Sequence, residues 1–108
     1  MAQTVVRLAG PALVTNTAAT KYTVPAGTKT KVQNIHVSNP GGGSAVTFTC
    51  SIGADAAGTR IADGISIPAG TVFDMYGPFY LSAAEIIQAL AGTTNILTLT
   101  IDGIEYTP

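Results

Sequence analysis

The 108-residue sequence has no tryptophan, one cysteine and one histidine, and only 10% of its residues are charged. Each shortage excludes something. A single cysteine rules out an internal disulfide, so the fold needs no oxidising compartment. Five Lys plus Arg against six Asp plus Glu leave a net charge of -1. That argues against a nucleic-acid binder, which needs a basic face to displace counterions. No apolar run approaches the roughly 20 residues of a membrane span. Met1-Ala2-Gln3-Thr4 is not a charged region leading into an apolar one, so no secretory signal is visible and folding in a cytoplasm is expected. An ordinary soluble domain is about 25% charged. The surface here must instead be largely Thr, Ser, Asn, Gly and Ala, which loses little when neighbouring subunits cover it.

What is present reads as strand and turn. The length fits one domain spanning residues 1–108, and a hydrophobic fraction of 46% is enough for one core. The chain is organised around Tyr22 to Ile52. Val24-Pro25-Ala26-Gly27 reads as a type I turn, with proline second and glycine fourth. Thr28 to Asn39 is extended, but Val32, Ile35 and Val37 cannot share a face under strict alternation. A β-bulge near Gln33-Asn34 restores the register. Gly41 to Ser44 reads as a mobile surface loop, open to use as a contact arm. Val46, Phe48, Cys50 and Ile52 then alternate with small polar residues, the period of a half-buried strand.

Before this stretch, Thr4 to Ala9 reads as a strand ending at a Gly10-Pro11 turn, and Ala2 to Thr20 as a strand-exchanging or contact arm. After it, Gly53 to Gly58 reads as flexible. Asp63-Gly64, Gly77-Pro78 and Asp102-Gly103 read as turns or breaks. Ser82 to Leu90 has helical propensity. A turn at Ser82-Ala83-Ala84 and a strand from Glu85 fit the surrounding strands better. Val24-Pro25-Ala26-Gly27-Thr28 recurs as Ile67-Pro68-Ala69-Gly70-Thr71, and Leu81 to Glu85 resembles a degraded third copy. The expected fold is all-β: one β-sandwich with jelly-roll character and about eight short antiparallel strands.

Chemistry-bearing residues are sparse. Strand parity turns His36 outward and Cys50 inward, on opposite faces of the wall, so they do not form a nucleophile pair. Asp55, Asp63, Asp74, Glu85, Asp102 and Glu105 show no spacing for acid–base work, and the Asp55 loop is too poor in oxygen ligands for calcium. No catalytic residue, cofactor or metal is expected. The Gly41 loop lacks the lysine and helix of a phosphate loop. Lys21, Lys29 and Lys31 suit solubility, or guard an edge strand. Tyr76, Phe79 and Tyr80 form the one aromatic cluster. It reads as a plug at one end of the sandwich, or as a partner anchor or sugar-stacking platform.

The pattern YTVPAGTKTKVQNIHVSN, the alternating strand ending at Ile52-Gly53, GTRIADGISIPAGT and the final Leu/Thr strand resemble small β-sandwich virion proteins of tailed bacteriophages, found as head-decoration or tail-associated subunits. The resemblance implies a non-enzymatic virion structural protein, assembled in a host cytoplasm. Its implied partners are other virion proteins, major capsid or tail proteins, and further copies of itself. Capsid decoration or cementing is the leading role; a tail-associated or tail-tip subunit that binds carbohydrate is the alternative.

Overall fold

The computed structural model describes residues 2–40 and 43–107. Eight strands follow one another: β1 (Ala2–Leu13), β2 (Ala19–Thr23), β3 (Lys29–Ser38), β4 (Val46–Ile52), β5 (Arg60–Ile67), β6 (Val72–Leu81), β7 (Ile86–Ala91) and β8 (Thr98–Thr107). There is no helix among the described residues. Two four-stranded antiparallel sheets form, the first in the order β1-β8-β3-β6 and the second in the order β2-β7-β4-β5. Strand one pairs with eight, two with seven, three with six and four with five. A long ribbon folded back on itself and rolled into two sheets in this way is a jelly roll. The expected all-β sandwich is the observed fold.

Alternation puts the core between the sheets. The first sheet contributes Val32, Ile35, Val37, Leu99 and Ile101, all fully buried. The second contributes Phe48, Cys50, Ile87, Ala89 and Ala91. Phe48 and Phe73 meet across the interior at a tilt, their centroids 6.4 Å apart. The Tyr22 hydroxyl, on β2, crosses between the sheets. It donates to Glu105 Oε2 at 2.6 Å and lies 2.7 Å from Thr30 Oγ1. Burial, followed by the hydrogen bond to Glu105, pushes the Tyr22 hydroxyl up to about 12.

The β3 bulge lies where the alternation requires it. The register slips between Val32 and Asn34 against both β6 and β8, and Gln33 is the extra residue toward β8. The supposed breaks behave differently. Gly10-Pro11, Asp63-Gly64, Gly77-Pro78 and Asp102-Gly103 all lie inside strands. Both Gly-Pro bonds are cis, and both lie on edge strands of the first sheet, where the missing proline N–H removes no ladder bond. At Asp63-Gly64 the strand bulges, and the Gly64 N–H donates to Thr49 Oγ1 at 3.0 Å. Gly103 continues β8 because a Cβ there would come within 2.4 Å of Lys31 O. Hydropathy alone cannot tell such an in-strand glycine from a hairpin glycine.

The recurring turn is real but shifted by one residue. Thr28 N donates to Pro25 O and Thr71 N to Pro68 O, each at 3.2 Å. Proline is therefore first, and the third residue has positive φ (Gly27 +71°, Gly70 +75°), as a type II turn requires. The degraded copy closes alike: Glu85 N donates to Ser82 O at 3.1 Å, and Ala84 takes φ +70° without being glycine. Asn39, fully buried, ends β3 by donating through Nδ2 to Ser44 O and Ile67 O, both at 2.9 Å. Of the loop expected at Gly41 to Ser44, Gly41 and Gly42 lie outside the described residues.

Candidate functional site

The two outer faces of the sandwich differ. The second sheet presents Thr20, Thr23, Thr47 and Ser66, all exposed, and the 53–59 loop folds over part of it. That loop, expected to be flexible, is pinned. Asp55 N donates to Gln88 Oε1 at 3.0 Å, Thr59 Oγ1 donates to Ala54 O at 2.7 Å, and the Arg60 guanidinium grips Asp55 through two bonds of 2.9 and 3.1 Å. The Arg60 contact holds the Asp55 carboxyl below its usual range.

The first sheet's outer face gathers every large hydrophobic side chain that is exposed among the described residues: Val5 (85%), Leu13 (50%), Val72 (56%), Tyr76 (72%) and Tyr80 (72%). Strand register lays these residues out in rows. One row reads Val5, Ile104, Lys31, Tyr80 across β1, β8, β3 and β6. The next reads Arg7, Asp102, Asn34, Tyr76, and the row at the far end reads Leu13, Thr98, Ser38, Val72. Arg7, Lys29 and Lys31, three of the five Lys and Arg residues, share this face with Asp74 and Asp102. Two shallow depressions mark it. One of about 570 Å³ lies beside Val5, Arg7, Gln33 and Ile104. The other, of about 400 Å³, lies beside Lys29, Tyr80 and Tyr106.

The aromatic cluster is thus divided by the strand. Tyr76 and Tyr80 point outward, while Phe79 is half-buried against the core. Tyr76 and Tyr80 do not plug an end of the sandwich; they stand on a broad face. Lys29 and Lys31 guard no edge, because β3 is flanked by β8 and β6. Lys21 does lie on an edge strand, and its Nζ donates to Leu13 O at 3.1 Å.

His36 and Cys50 lie on different sheets. Burial pushes the Cys50 thiol up to about 12, the range of an unreactive core thiol. Sequence reading missed one pair. His36 Nδ1 is 2.5 Å from Asp74 Oδ1 across the β3–β6 ladder, with Thr100 on the other side of the histidine. No spacing announces it, because the pairing depends on sheet order. Hydroxyl, imidazole and carboxylate stand in a row there, but on an open pleat. The β3 and β8 backbone N–H groups at that row belong to sheet ladders, whereas acyl transfer needs free ones aimed at an oxyanion. Among the described residues no three His, Cys, Asp or Glu side chains cluster to hold a metal.

Topology and surface together define an all-β jelly-roll domain with one outer face left open to contact. No protein-family model matches the sequence, and no curated protein matches it. Among solved structures, the chain is similar to one from work describing Bacillus endospore appendages as a novel family of disulfide-linked pili. The identity is 17% and the TM-score 0.55, over 98% of this chain and 87% of that one. At that identity the likeness concerns the fold. A chain from infectious bursal disease virus Gx strain also aligns, at 11% identity and a TM-score of 0.49, over 96% of this chain and 31% of that one.

Proposed function

We propose that the protein is a structural subunit of a tailed-phage virion, decorating or cementing the capsid through protein–protein contacts and without catalysis. The observation that carries this reading is the first sheet's outer face. Val5, Leu13, Val72, Tyr76 and Tyr80 all stand on it, each at least half exposed. Large exposed apolar side chains gathered on one face, with charged residues among them, mark an interaction site. The low charge of the whole chain and the likeness to virion proteins at YTVPAGTKTKVQNIHVSN and GTRIADGISIPAGT point the same way. The similar pilus chain comes from a family named for disulfide linkage. Here the one thiol, Cys50, is buried, so assembly rests on non-covalent contact.

The test is to incubate the purified chain with virus heads and with tails lacking it, and to measure co-sedimentation. Stoichiometric binding to heads, with greater resistance of the heads to heat, is the expected result. A chain that sediments with neither heads nor tails overturns the reading.

A second reading is favoured by one observation: Tyr76 and Tyr80 expose their rings on the same face, and Tyr80 borders a depression with Lys29 and Tyr106. Tyrosine faces can stack on sugar rings, so a tail-tip subunit that binds carbohydrate uses the same surface. Glycan-array binding lost in Tyr76→Ala and Tyr80→Ala supports it, and a wild-type chain that binds no glycan removes it.

A further inference from the structure

We propose that the outer face of the first sheet is covered by a second copy of this chain, related by a two-fold axis running parallel to the strands between β8 and β3. The proposal rests on the reading of the protein as an assembling subunit and names what that face meets.

The edges of both sheets are poor pairing surfaces. On the first sheet, β1 carries Pro11 and β6 carries Pro78. On the second, β5 bulges at Asp63-Gly64 beside the Arg60 clasp, and β2 is five residues long with a register shift. Proline, bulges and short length are the devices by which edge strands avoid pairing with another chain. Association is left to the faces, and among the described residues the exposed large hydrophobics all lie on the first sheet's face.

A dyad parallel to the strands keeps each row at its own height and reverses its order. β1 then lies over the partner copy's β6, and β8 over its β3. The row Val5, Ile104, Lys31, Tyr80 places Val5 on Tyr80 and Ile104 along the stem of Lys31. The row Arg7, Asp102, Asn34, Tyr76 places the Arg7 guanidinium on the Tyr76 ring, a cation–π arrangement, and Asp102 against Asn34. The far row places Leu13 on Val72 and Thr98 on Ser38. All five exposed large hydrophobics find a partner, and no two like charges face each other. A dyad running across the strands instead sets Arg7 on Arg7 and Asp102 on Asp102 when it passes through the middle row. Aligned sheet packing at about -30° fits the parallel dyad.

The area is sufficient. Four strands spaced about 4.8 Å apart, and ten residues at about 3.3 Å each, give roughly 600 Å² per copy. Two copies then bury roughly 1,200 Å², the lower bound for a stable interface.

The test uses the full chain and two single variants, Val5→Asp and Tyr80→Lys, with mass measured by light scattering. Both sites are exposed, so a circular dichroism spectrum matching wild type confirms the fold. The wild type is expected at twice the chain mass and each variant at the single mass. Mixing the two variants is expected to restore a dimer. The carboxylate introduced by Val5→Asp in one copy then faces the ammonium introduced by Tyr80→Lys in the other, while the second contact stays Val5 on Tyr80. Three outcomes overturn the proposal: a wild type that stays monomeric up to about millimolar concentration, a dimer that neither variant disturbs, or a mixture that fails to associate. A monomer that still binds virus heads overturns the dimer alone and leaves the subunit reading standing.

Discussion

Ala84 is held at φ +70° in a turn whose two counterparts use glycine. The left-handed region costs a non-glycine residue about 1–2 kcal/mol. Glycine gives back about 0.4–1 kcal/mol through the unfolded chain. Ala84→Gly is therefore expected to stabilise by about 0.5–1 kcal/mol, and Gly27→Ala and Gly70→Ala to destabilise by a similar amount. Nothing lies within 4 Å of a Cβ at either glycine, so those losses isolate backbone conformation. At about 4–8 °C per kcal/mol for a domain this size, thermal melts resolve all three. Tyr22 supplies a pH prediction. Its hydroxyl is raised from 10.0 to about 12 in the fold, so the neutral form is the one the fold favours. The stability this contributes is complete below pH 10 and lost as pH rises toward 12. The buried Cys50 thiol, raised from 9.0 to about 12, adds loss of the same sign. Melts across this range should fall steeply for wild type. In Tyr22→Phe the alkaline fall should be shallower and the neutral-pH stability lower by about 1–3 kcal/mol, because Glu105 and Thr30 lose their partner.

At the scale of the strand, alternation decides which way each residue faces. It is enough to anticipate the β3 bulge, because Val32, Ile35 and Val37 have to share the interior. The strand expected from Glu85 to Leu90, observed at Ile86–Ala91, is chosen over a helix by the strands and turns around it rather than by alternation. The Gly-Pro pairs defeat alternation. A glycine before proline looks like a stop, but Gly10 and Gly77 are pressed against the neighbouring strand. Their missing Cβ atoms would fall 2.0 Å from Leu99 O and 2.1 Å from Val32 O. Gly77→Ala is accordingly expected to cost about 1–3 kcal/mol by overpacking. Gly58→Ala, where φ is not positive and nothing lies within 4 Å, should change the melt little. Equal losses at both positions would show that the close approach at Gly77 is not what matters there. The contact face is legible only in part. Tyr76 and Tyr80 stand out as aromatics, but Val5, Leu13 and Val72 join them only once four strands are in register. His36 and Asp74 meet through the same non-local pairing, which no local pattern carries.

The whole molecule places its polarity unevenly. The second sheet's outer face is hydroxyl-rich and partly roofed by its own pinned loop, while the first sheet's face carries the exposed hydrophobics and most of the basic residues. A domain with this asymmetry has one side suited to a neighbour and one suited to water. A charge placed on each side tests this: Tyr76→Glu is expected to weaken head binding or self-association at least tenfold, and Thr47→Glu to leave both within twofold, by co-sedimentation and light scattering. Equal effects from the two substitutions would mean that the sides are not distinguished.

The position of β8 has a consequence for how the protein is made. It lies between β1 and β3 in the first sheet, yet it leaves the ribosome after the other seven strands. At about 5–20 residues per second, the N-terminal strand waits roughly 4–17 seconds after its own emergence before its neighbour exists. Throughout that interval Val6, Leu8 and Ala9, which the finished fold half-buries, are unsheltered. A nascent chain stalled before Thr98 should therefore recruit holdase chaperones that the finished chain does not.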